Sequence, residues 1–352
     1  MTHKSPPRTF RPVRGTFAPR TWQALAVLAT GSLLVACGGP SGTGSSSADN
    51  EPGAPALPSV SAYDVADGEP APGVKRSAVR FLETVFNYEA EEGTADAARE
   101  RLTAAGLDSE AVTDAGLFPG DGHAGAAQVV YPQLGGLTDD QASIMAVTEI
   151  STLLDDSLTS VTRVIDLRLD RRGEAWEVTE VASIGSDPAA PEQADPTGTP
   201  APESGSEQEW VAVEGVAAQV LDSSKIDLPS SARWDVLAGD IDERVLQMML
   251  DITADHTISV AVLSTGHPVN VFDSSSVSNH TNGRAVDIWA IDGITVADLR
   301  QEGPQGPAGR LMEMALAEGA TEVGGPWALS TTNGATFTDT VHEDHLHIGF
   351  KQ

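Results

Sequence analysis

Residues 280–289, HTNGRAVDIW, and residues 342–350, HEDHLHIGF, decide the fold of the C-terminal part of the chain. In the first run, Gly283 favours a tight turn after His280, because glycine tolerates the backbone angles that such turns require. The residues that follow alternate as in a strand, with Asp287 on one face and apolar neighbours on the other. We therefore expect a turn that carries His280 back toward Asp287.

The second run predicts another strand. The apolar residues at positions 346, 348 and 350 alternate with His345, His347 and a glycine, so both histidines share one face of a strand whose other face is apolar. If the two strands are neighbours, Asp287 and His347 point to the same place.

These residues have the chemistry of a catalytic zinc site. Such sites usually use three His or carboxylate ligands and keep a fourth position open, and His280, Asp287 and His347 complete that set. A single histidine is more often a core or surface residue than a ligand, and a His-rich terminal run can be a solvated tail. Here, however, four of the eight histidines lie in the two runs. We expect zinc as cofactor, because mixed His and carboxylate ligands suit a borderline ion.

The pattern Ser278-x-His280-x-x-Gly283-x-Ala285-x-Asp287, followed by His345-x-His347, resembles the Hedgehog/D-alanyl-D-alanine zinc metallopeptidase superfamily. That group includes D-Ala-D-Ala carboxypeptidases and dipeptidases, murein endopeptidases and the signalling domain of Hedgehog proteins. The resemblance covers residues 210–352 and implies an α+β domain with a central antiparallel sheet. It also implies that His280, Asp287 and His347 bind zinc in a peptidase.

The resemblance implies a proton carrier just before the last ligand and leaves its identity open. In the carboxypeptidase branch a glutamate stands three positions before the ligand, and Asp344 occupies that place here. In the murein endopeptidase branch two histidines stand five and two positions before it, which are His342 and His345 here. We expect Asp344 or His342 to accept a proton from water, and His345 to stabilise the oxyanion or protonate the leaving amine.

Substrate recognition departs from the carboxypeptidase pattern. Members of that branch carry an arginine in a Ser-Gly-Tyr-Arg-like segment, whereas residues 263–268 read LSTGHP and contain none. The candidates for substrate binding are Ser278, Arg284 and His267, and neither His256 nor His267 is expected to bind the metal. The missing arginine favours an endopeptidase or an unusual peptide substrate.

The N-terminal residues predict export and lipid attachment. Residues 1–20 contain five basic residues and no acid, residues 24–36 form a short apolar run, and Leu34-Val-Ala-Cys37 matches a lipobox. This is typical of a bacterial lipoprotein signal peptide, residues 1–36, because the apolar run is too short for a stable membrane span. We expect Cys37 to be lipidated and to anchor the protein on the extracytoplasmic face of the cell membrane.

The cysteine count and the net charge limit the kinds of partner and metal site that the chain can have. Cys37 is the single cysteine, which excludes disulfides and a thiolate metal site. Loss of the signal removes five of the 21 basic residues and none of the 51 acidic ones, leaving a formal charge of −35. Nucleic acid is excluded as a partner, since its binding depends on Lys and Arg. The expected partners are peptidoglycan peptides and, through the lipid, the membrane; the sequence indicates no partner for the first domain.

Stretches rich in Ser, Pro and small residues divide the chain. The predicted order is a tether at 37–59, a first domain at 60–185, a linker at 186–209 and the zinc domain at 210–352. In the first domain we expect helices and then an antiparallel meander, an architecture similar to nuclear-transport-factor-2-like domains. The predicted helices are 77–88 and 95–105, and the predicted strands are 126–132, 142–152, 162–169 and 175–183.

In the zinc domain the pattern predicts a helix at 241–252 capped by Asp240, a strand at 257–264 and a helix at 307–318 that ends at Gly319. Residues 324–327 are expected to form a loop at the rim of a cleft.

Three functions remain open from the sequence. The first is a peptidase acting on cell-wall peptides, and the second is a zinc-containing binding module without turnover. The third is an envelope scaffold in which the first domain binds a partner and the zinc domain is vestigial.

Overall fold

The computed structural model describes residues 55–112, 118, 120, 122–183, 213–332 and 334–351. The predicted signal peptide, the lipidation site Cys37, the tether up to residue 54 and the linker at 186–209 lie outside the described residues. Among the helices that are described, none is long and apolar enough to cross a membrane.

The first sheet is a four-stranded antiparallel meander in which the strands pair in chain order. Helix α1 packs across it and closes an apolar core around Phe81, Leu82 and Leu167. The prediction of helices followed by an antiparallel meander is confirmed. The elements are α1 (Pro72–Phe86), α2 (Ala95–Ala104), β1 (His123–Leu137), β2 (Gln141–Leu154), β3 (Ser157–Arg172) and β4 (Ala175–Ser183).

Helix α1 and strands β1 to β3 are longer than the sequence predicted, whereas α2 ends one residue earlier and β4 has the predicted bounds. Helix α1 begins at Pro72 because proline is well tolerated in a first helical turn, where its missing N–H would have no partner. Strands β1 to β3 continue through polar residues, since main-chain hydrogen bonds extend the ladders beyond the apolar alternation.

The second sheet is mixed, with the strand order β10-β9-β11-β7-β6-β5 and β8 paired to β7. The inner pairs are antiparallel, as predicted, but β10 runs parallel to β9 and β5 runs parallel to β6. The elements are α3 (Gly215–Asp222), β5 (Ile226–Asp227), α4 (Ser230–Ala238), α5 (Glu243–Ile252), β6 (Ile258–Val262), β7 (Ala285–Ile291), β8 (Ile294–Thr295), α6 (Val296–Leu299), α7 (Pro307–Ala317), β9 (Glu322–Gly324), β10 (Thr336–Phe337) and β11 (Leu346–Gly349).

The expectation of an antiparallel sheet is therefore wrong at both edges. Strands β5 and β10 have two residues each, too few to show an alternating pattern. Their parallel partners are reached by crossover connections, which parallel pairing requires and which leave no turn signal in the sequence.

Local boundaries also differ. Helix α5 starts at Glu243, and its cap is Asp242, whose side chain accepts a hydrogen bond from the Arg244 amide at 2.9 Å, rather than Asp240. Gly324, expected in a loop, ends strand β9. Gly319 follows α7 with φ 93°, in agreement with the predicted stop.

The two sheets meet through a small apolar cluster. The ring of Tyr131 on β1 stacks on Trp289 of β7, with centroids 4.9 Å apart and planes at 15°. Val147 and Ala261 complete the cluster. This contact brings β1 of the first sheet beside the strands that carry Asp287 and His347.

Candidate metal centre

Strands β7 and β11 place two of the predicted ligands side by side. They pair antiparallel with His347 directly opposite Asp287, so both side chains point to the same face of the sheet. Both are buried. The expectation that these strands aim Asp287 and His347 at one point is confirmed.

A short 3₁₀ turn, His280–Asn282, delivers the third predicted ligand. It ends at Gly283, whose φ is 63° and where a Cβ would collide with the carbonyl oxygen of Asp240. Any other residue would be strained here in both backbone and space. The Ser278 hydroxyl accepts a hydrogen bond from the His280 amide at 3.2 Å, so Ser278 holds the turn.

The donor atoms of these three residues form a nearly equilateral triangle. His280 Nε2 lies 3.1 Å from Asp287 Oδ1 and 3.1 Å from His347 Nδ1, and the last two atoms are 3.0 Å apart. In tetrahedral zinc sites with bonds of about 2.0–2.1 Å, ligand atoms are about 3.3 Å apart. The set therefore fits a small tetrahedral cation with little movement.

The surroundings prepare these donors for a cation. His280 Nδ1 donates to the carbonyl oxygen of Leu263 at 2.7 Å, which leaves its Nε2 lone pair facing the triangle. Burial alone would raise the pKa of Asp287, but the neighbouring histidines hold it well below its usual value. Burial alone would lower the pKa of His347, but Asp287 and Glu322 raise it to about 9. The buried carboxylate of Asp287 thus stays ionised and stabilises positive charge on the neighbouring His347.

His267 lies in the same cluster, although the sequence predicted it outside the metal site. His267, His280 and Asp287 form a buried group that could hold a metal ion, with ligand atoms within 4.8 Å of one another. The ring of His267 stacks on that of His280 at 4.3 Å and 16°. Burial lowers its pKa to about 3, so the ring stays neutral.

Geometry distinguishes the two possible third ligands. Imidazole binds a metal in the plane of its ring, and nearly parallel stacked rings have planes that do not converge. The rings of His280 and His347 lie at 67°, and their nitrogens Nε2 and Nδ1 face each other at 3.1 Å, so both can reach one ion. We therefore take His347 as the better third ligand and His267 as a neighbour that borders the cleft.

His345 lies beside the triangle. Its Nδ1 donates to Asp344 Oδ1 at 2.7 Å, and its Nε2 lies 3.8 Å from Asp287 Oδ2. The bond to Asp344 orients the ring so that Nε2 faces the metal centre, as a carboxylate orients a catalytic imidazole elsewhere.

Asp344 does not occupy the place that the sequence predicted for a base. It is fully buried, and its second oxygen pairs with Lys75 Nζ at 2.7 Å and accepts from the Leu134 amide at 3.0 Å. Asp344 follows the 3₁₀ turn Val341–Glu343, and both Asp344 and His345 precede β11, so the predicted strand face shared by His345 and His347 is not formed and these contacts set the direction of Asp344. It lies behind His345 and holds that ring.

His342 lies close to both His345 and His347. Its ring lies 5.0 Å from that of His345 and 5.9 Å from that of His347. Its Nδ1 bonds Asp339 Oδ1 at 2.7 Å. Burial lowers the pKa of His342, and Asp339 partly opposes that shift.

A cleft of about 900 Å³ opens onto these residues and is bordered by both sheets. Its walls include His267, Ser278, Phe272, Phe337, Glu322 and Lys351. Arg284, a predicted substrate contact, is not among the described residues that border it. Its charge acts on Asp242 instead, whose pKa is lowered first by the hydrogen bond with Arg244 and in smaller part by Arg284.

Two residues from the layer of the first sheet reach the centre without having been predicted. Gln133 of β1, fully buried, donates from Nε2 to Asp287 Oδ2 at 2.7 Å. Lys75 of α1 is also fully buried and pairs with Asp344 and with Glu69. The available signals were weak: a glutamine between apolar residues of β1 and a lysine on the apolar face of a helix.

Comparisons with family models, with curated proteins and with solved structures found no match to this chain.

Proposed function

We propose that this chain is a zinc-dependent peptidase that hydrolyses peptide bonds in cell-wall peptides, either peptidoglycan stems or their cross-links. One observation carries the proposal: a triangle of donors with edges of 3.0–3.1 Å stands beside an oriented His345 and opens onto a cleft of about 900 Å³. A purely structural zinc site needs no neighbouring proton carrier and is usually closed.

The proposed ligands are His280, Asp287 and His347. When bound, zinc supplies a Lewis acid that polarises a carbonyl group and acidifies water at neutral pH. Two neutral imidazoles and one carboxylate are a donor set that zinc commonly uses in hydrolytic sites.

The chain's own residues would handle the protons. Because Asp344 holds the Nδ1 proton of His345, Nε2 of that ring is the atom available to the substrate, within reach of the carboxylate ligand. His342, held through Nδ1 by Asp339, presents its own Nε2 beside it. One imidazole can accept a proton from the attacking water while the other donates to the oxyanion or the leaving amine.

The arrangement favours an endopeptidase over a carboxypeptidase. His342 and His345, the two histidines of the endopeptidase pattern, border the cleft. Asp344, the residue of the carboxypeptidase pattern, is instead paired with Lys75 behind His345. Lys351 is the one Lys or Arg among the described residues bordering the cleft, and Glu322 pairs with it at 3.6 Å. No free guanidinium is therefore offered there to a terminal carboxylate.

The cell-wall substrate and the location rest on the N-terminal sequence together with the family resemblance. A lipobox that ends at Cys37 supports attachment to the outer face of the membrane, where peptidoglycan is within reach. The Hedgehog/D-alanyl-D-alanine fold and the similarity of the first domain to nuclear-transport-factor-2-like domains are part of this proposal.

The test is to incubate the purified full chain with whole peptidoglycan and with isolated stem peptides, and to analyse the products by liquid chromatography and mass spectrometry. We expect new free amines or shortened stems that disappear on chelation, return with zinc and are absent with His280→Ala. If folded, zinc-loaded protein binds the peptides and leaves them intact, the peptidase proposal fails. The zinc-containing binding module, which the missing arginine favours, is then the better description.

A further inference from the structure

The strongest feature that the proposed function leaves unexplained is a chain of buried polar contacts between the first domain and the metal centre. Gln133 and Lys75 both come from the first domain, and each is fully buried. One contacts the carboxylate ligand and the other contacts the residue that holds His345.

Gln133 is placed by a distorted segment of β1. The pairing of β1 with β2 shifts register between Val129 and Tyr131 and again between Leu134 and Gly136. Such bulges re-aim side chains and occur often beside active sites. Between them, Tyr131 and Gln133 share the face toward the second sheet, while Leu134 packs into the core of the first domain.

Because of Gln133, the two oxygens of Asp287 have different partners. Oδ2 accepts the amide of Gln133 at 2.7 Å, whereas Oδ1 faces His280 and His347 at 3.1 and 3.0 Å. A ligating carboxylate held in this way presents one fixed oxygen to the metal. Partners of this kind typically change metal affinity by 10- to 100-fold when removed.

Lys75 acts on the other side of the centre. Its ammonium lies between Glu69 at 2.8 Å and Asp344 at 2.7 Å. The remaining oxygen of Asp344 holds His345 Nδ1, and the hydroxyl of Tyr131 donates to the Asp344 carbonyl at 2.8 Å. Lys75 thus compensates the buried charge that orients His345.

Simple domain docking does not account for these contacts. Burying charges is costly, and replacing a buried ion pair with apolar residues is often neutral or stabilising. The stacked Tyr131 and Trp289 show that this interface also has an apolar means of docking. The polar contacts, by contrast, end on a metal-ligand candidate and on the residue that orients the proton carrier.

We propose that the first domain completes the metal centre, with Gln133 positioning Asp287 and Lys75 positioning His345 through Asp344. The Gln133 part requires only that the chain binds a metal, whereas the part concerning Lys75 rests on the proposed peptidase function for its role in turnover.

The Gln133 part is tested by zinc affinity in the full chain, measured by competition with a chromophoric chelator. Gln133→Leu should weaken zinc binding by about 10- to 100-fold. The matched control is Val178→Ala on β4, which removes buried volume from the same core away from the distorted segment of β1. It should leave the zinc affinity within about twofold. Thermal unfolding followed by circular dichroism verifies that each variant is folded.

The Lys75 part is tested with Lys75→Met and, if the single variant fails to fold, with the double variant Lys75→Met/Asp344→Asn, which removes the buried charge of Asp344 together with that of Lys75. We expect kcat to fall about 10²-fold, with zinc affinity unchanged, because a displaced catalytic group costs about that much. A second readout does not need activity: the His345 Nδ1 proton, observed by NMR, should exchange faster with water once Lys75 is lost.

The outcomes separate this inference from the proposed function. A wild-type chain that cleaves peptides, together with a Gln133→Leu chain that binds zinc as tightly, overturns the Gln133 part and leaves the peptidase standing. A wild-type chain without turnover whose zinc affinity still depends on Gln133 overturns the peptidase alone. If folded Lys75 variants show the wild-type rate of proton exchange at His345, then Lys75 does not position His345 and its role is structural only.

Discussion

His345→Ala is the substitution that most directly tests the proposed chemistry. His345 Nε2 lies 3.8 Å from the non-ligating oxygen of Asp287, and its ring contributes no atom to the donor triangle. Zinc affinity should therefore stay within a few-fold of the wild type while turnover falls. The variant separates proton transfer from metal binding.

The size of the loss follows from the arrangement of the two histidines. A positioned general acid or base contributes about 10²- to 10⁴-fold, which is about 3–5 kcal/mol of transition-state stabilisation. The ring of His342 lies 5.0 Å from that of His345 and can replace part of its function. We therefore expect about 10²-fold for His345→Ala and a larger loss for the double variant with His342→Ala.

The assay follows peptide products released at saturating zinc, with the metal content of each sample measured in parallel. His256→Ala is the matched control, because His256 pairs with Asp292 at 2.7 Å and does not border the cleft. Its turnover should equal that of the wild type. Wild-type turnover in zinc-loaded His345→Ala would refute the proposed role of this residue.

Three further predictions concern metal binding, the turn and pH. His280→Ala should abolish zinc binding and activity together, because His280 belongs to both candidate ligand sets, and elemental analysis of folded protein checks this; retained stoichiometric zinc contradicts it. Gly283→Ala should destabilise the chain and weaken zinc binding by at least about 10-fold, because φ is 63° and the new Cβ would meet the Asp240 carbonyl; unchanged thermal unfolding and zinc affinity would show that the turn is tolerant. Burial raises the pKa of Asp166 to about 6, although Arg168 opposes the shift. Since the folded state holds this proton more tightly, its contribution to stability is present below about pH 4 and is lost as the pH rises through about 6. Asp166→Asn should therefore flatten the decline in melting temperature between pH 4 and 7, and an identical decline in both proteins would argue against this pKa.

Local patterns in the sequence were sufficient to predict much of the site. The alternation around Asp287 and His347 placed them on paired strands, and Gly283 marked the turn that returns His280. These predictions succeeded because side-chain direction in strands and turns depends on near neighbours. The meander of the first domain was predictable for the same reason.

The parts that sequence reasoning missed depend on distant contacts. Gln133 lies 154 positions from Asp287, and Leu134 lies 210 positions from Asp344. No local periodicity reports such pairs. Asp344 was assigned a base's role by counting along the chain, whereas its orientation is determined by Lys75 from the first domain. The parallel edge strands β5 and β10 were missed because a strand of two residues is too short to show an alternation of apolar and polar residues.

The stack of His267 on His280 has a consequence for how the centre fails. Since ligand atoms of His267, His280 and Asp287 lie within 4.8 Å of one another, His267 is the alternative third ligand if His347 is lost. Chemical damage at His347 should then cause graded loss of the metal, whereas damage at His280 should cause complete loss. We therefore expect metal binding to tolerate the loss of His347 better than the loss of His280.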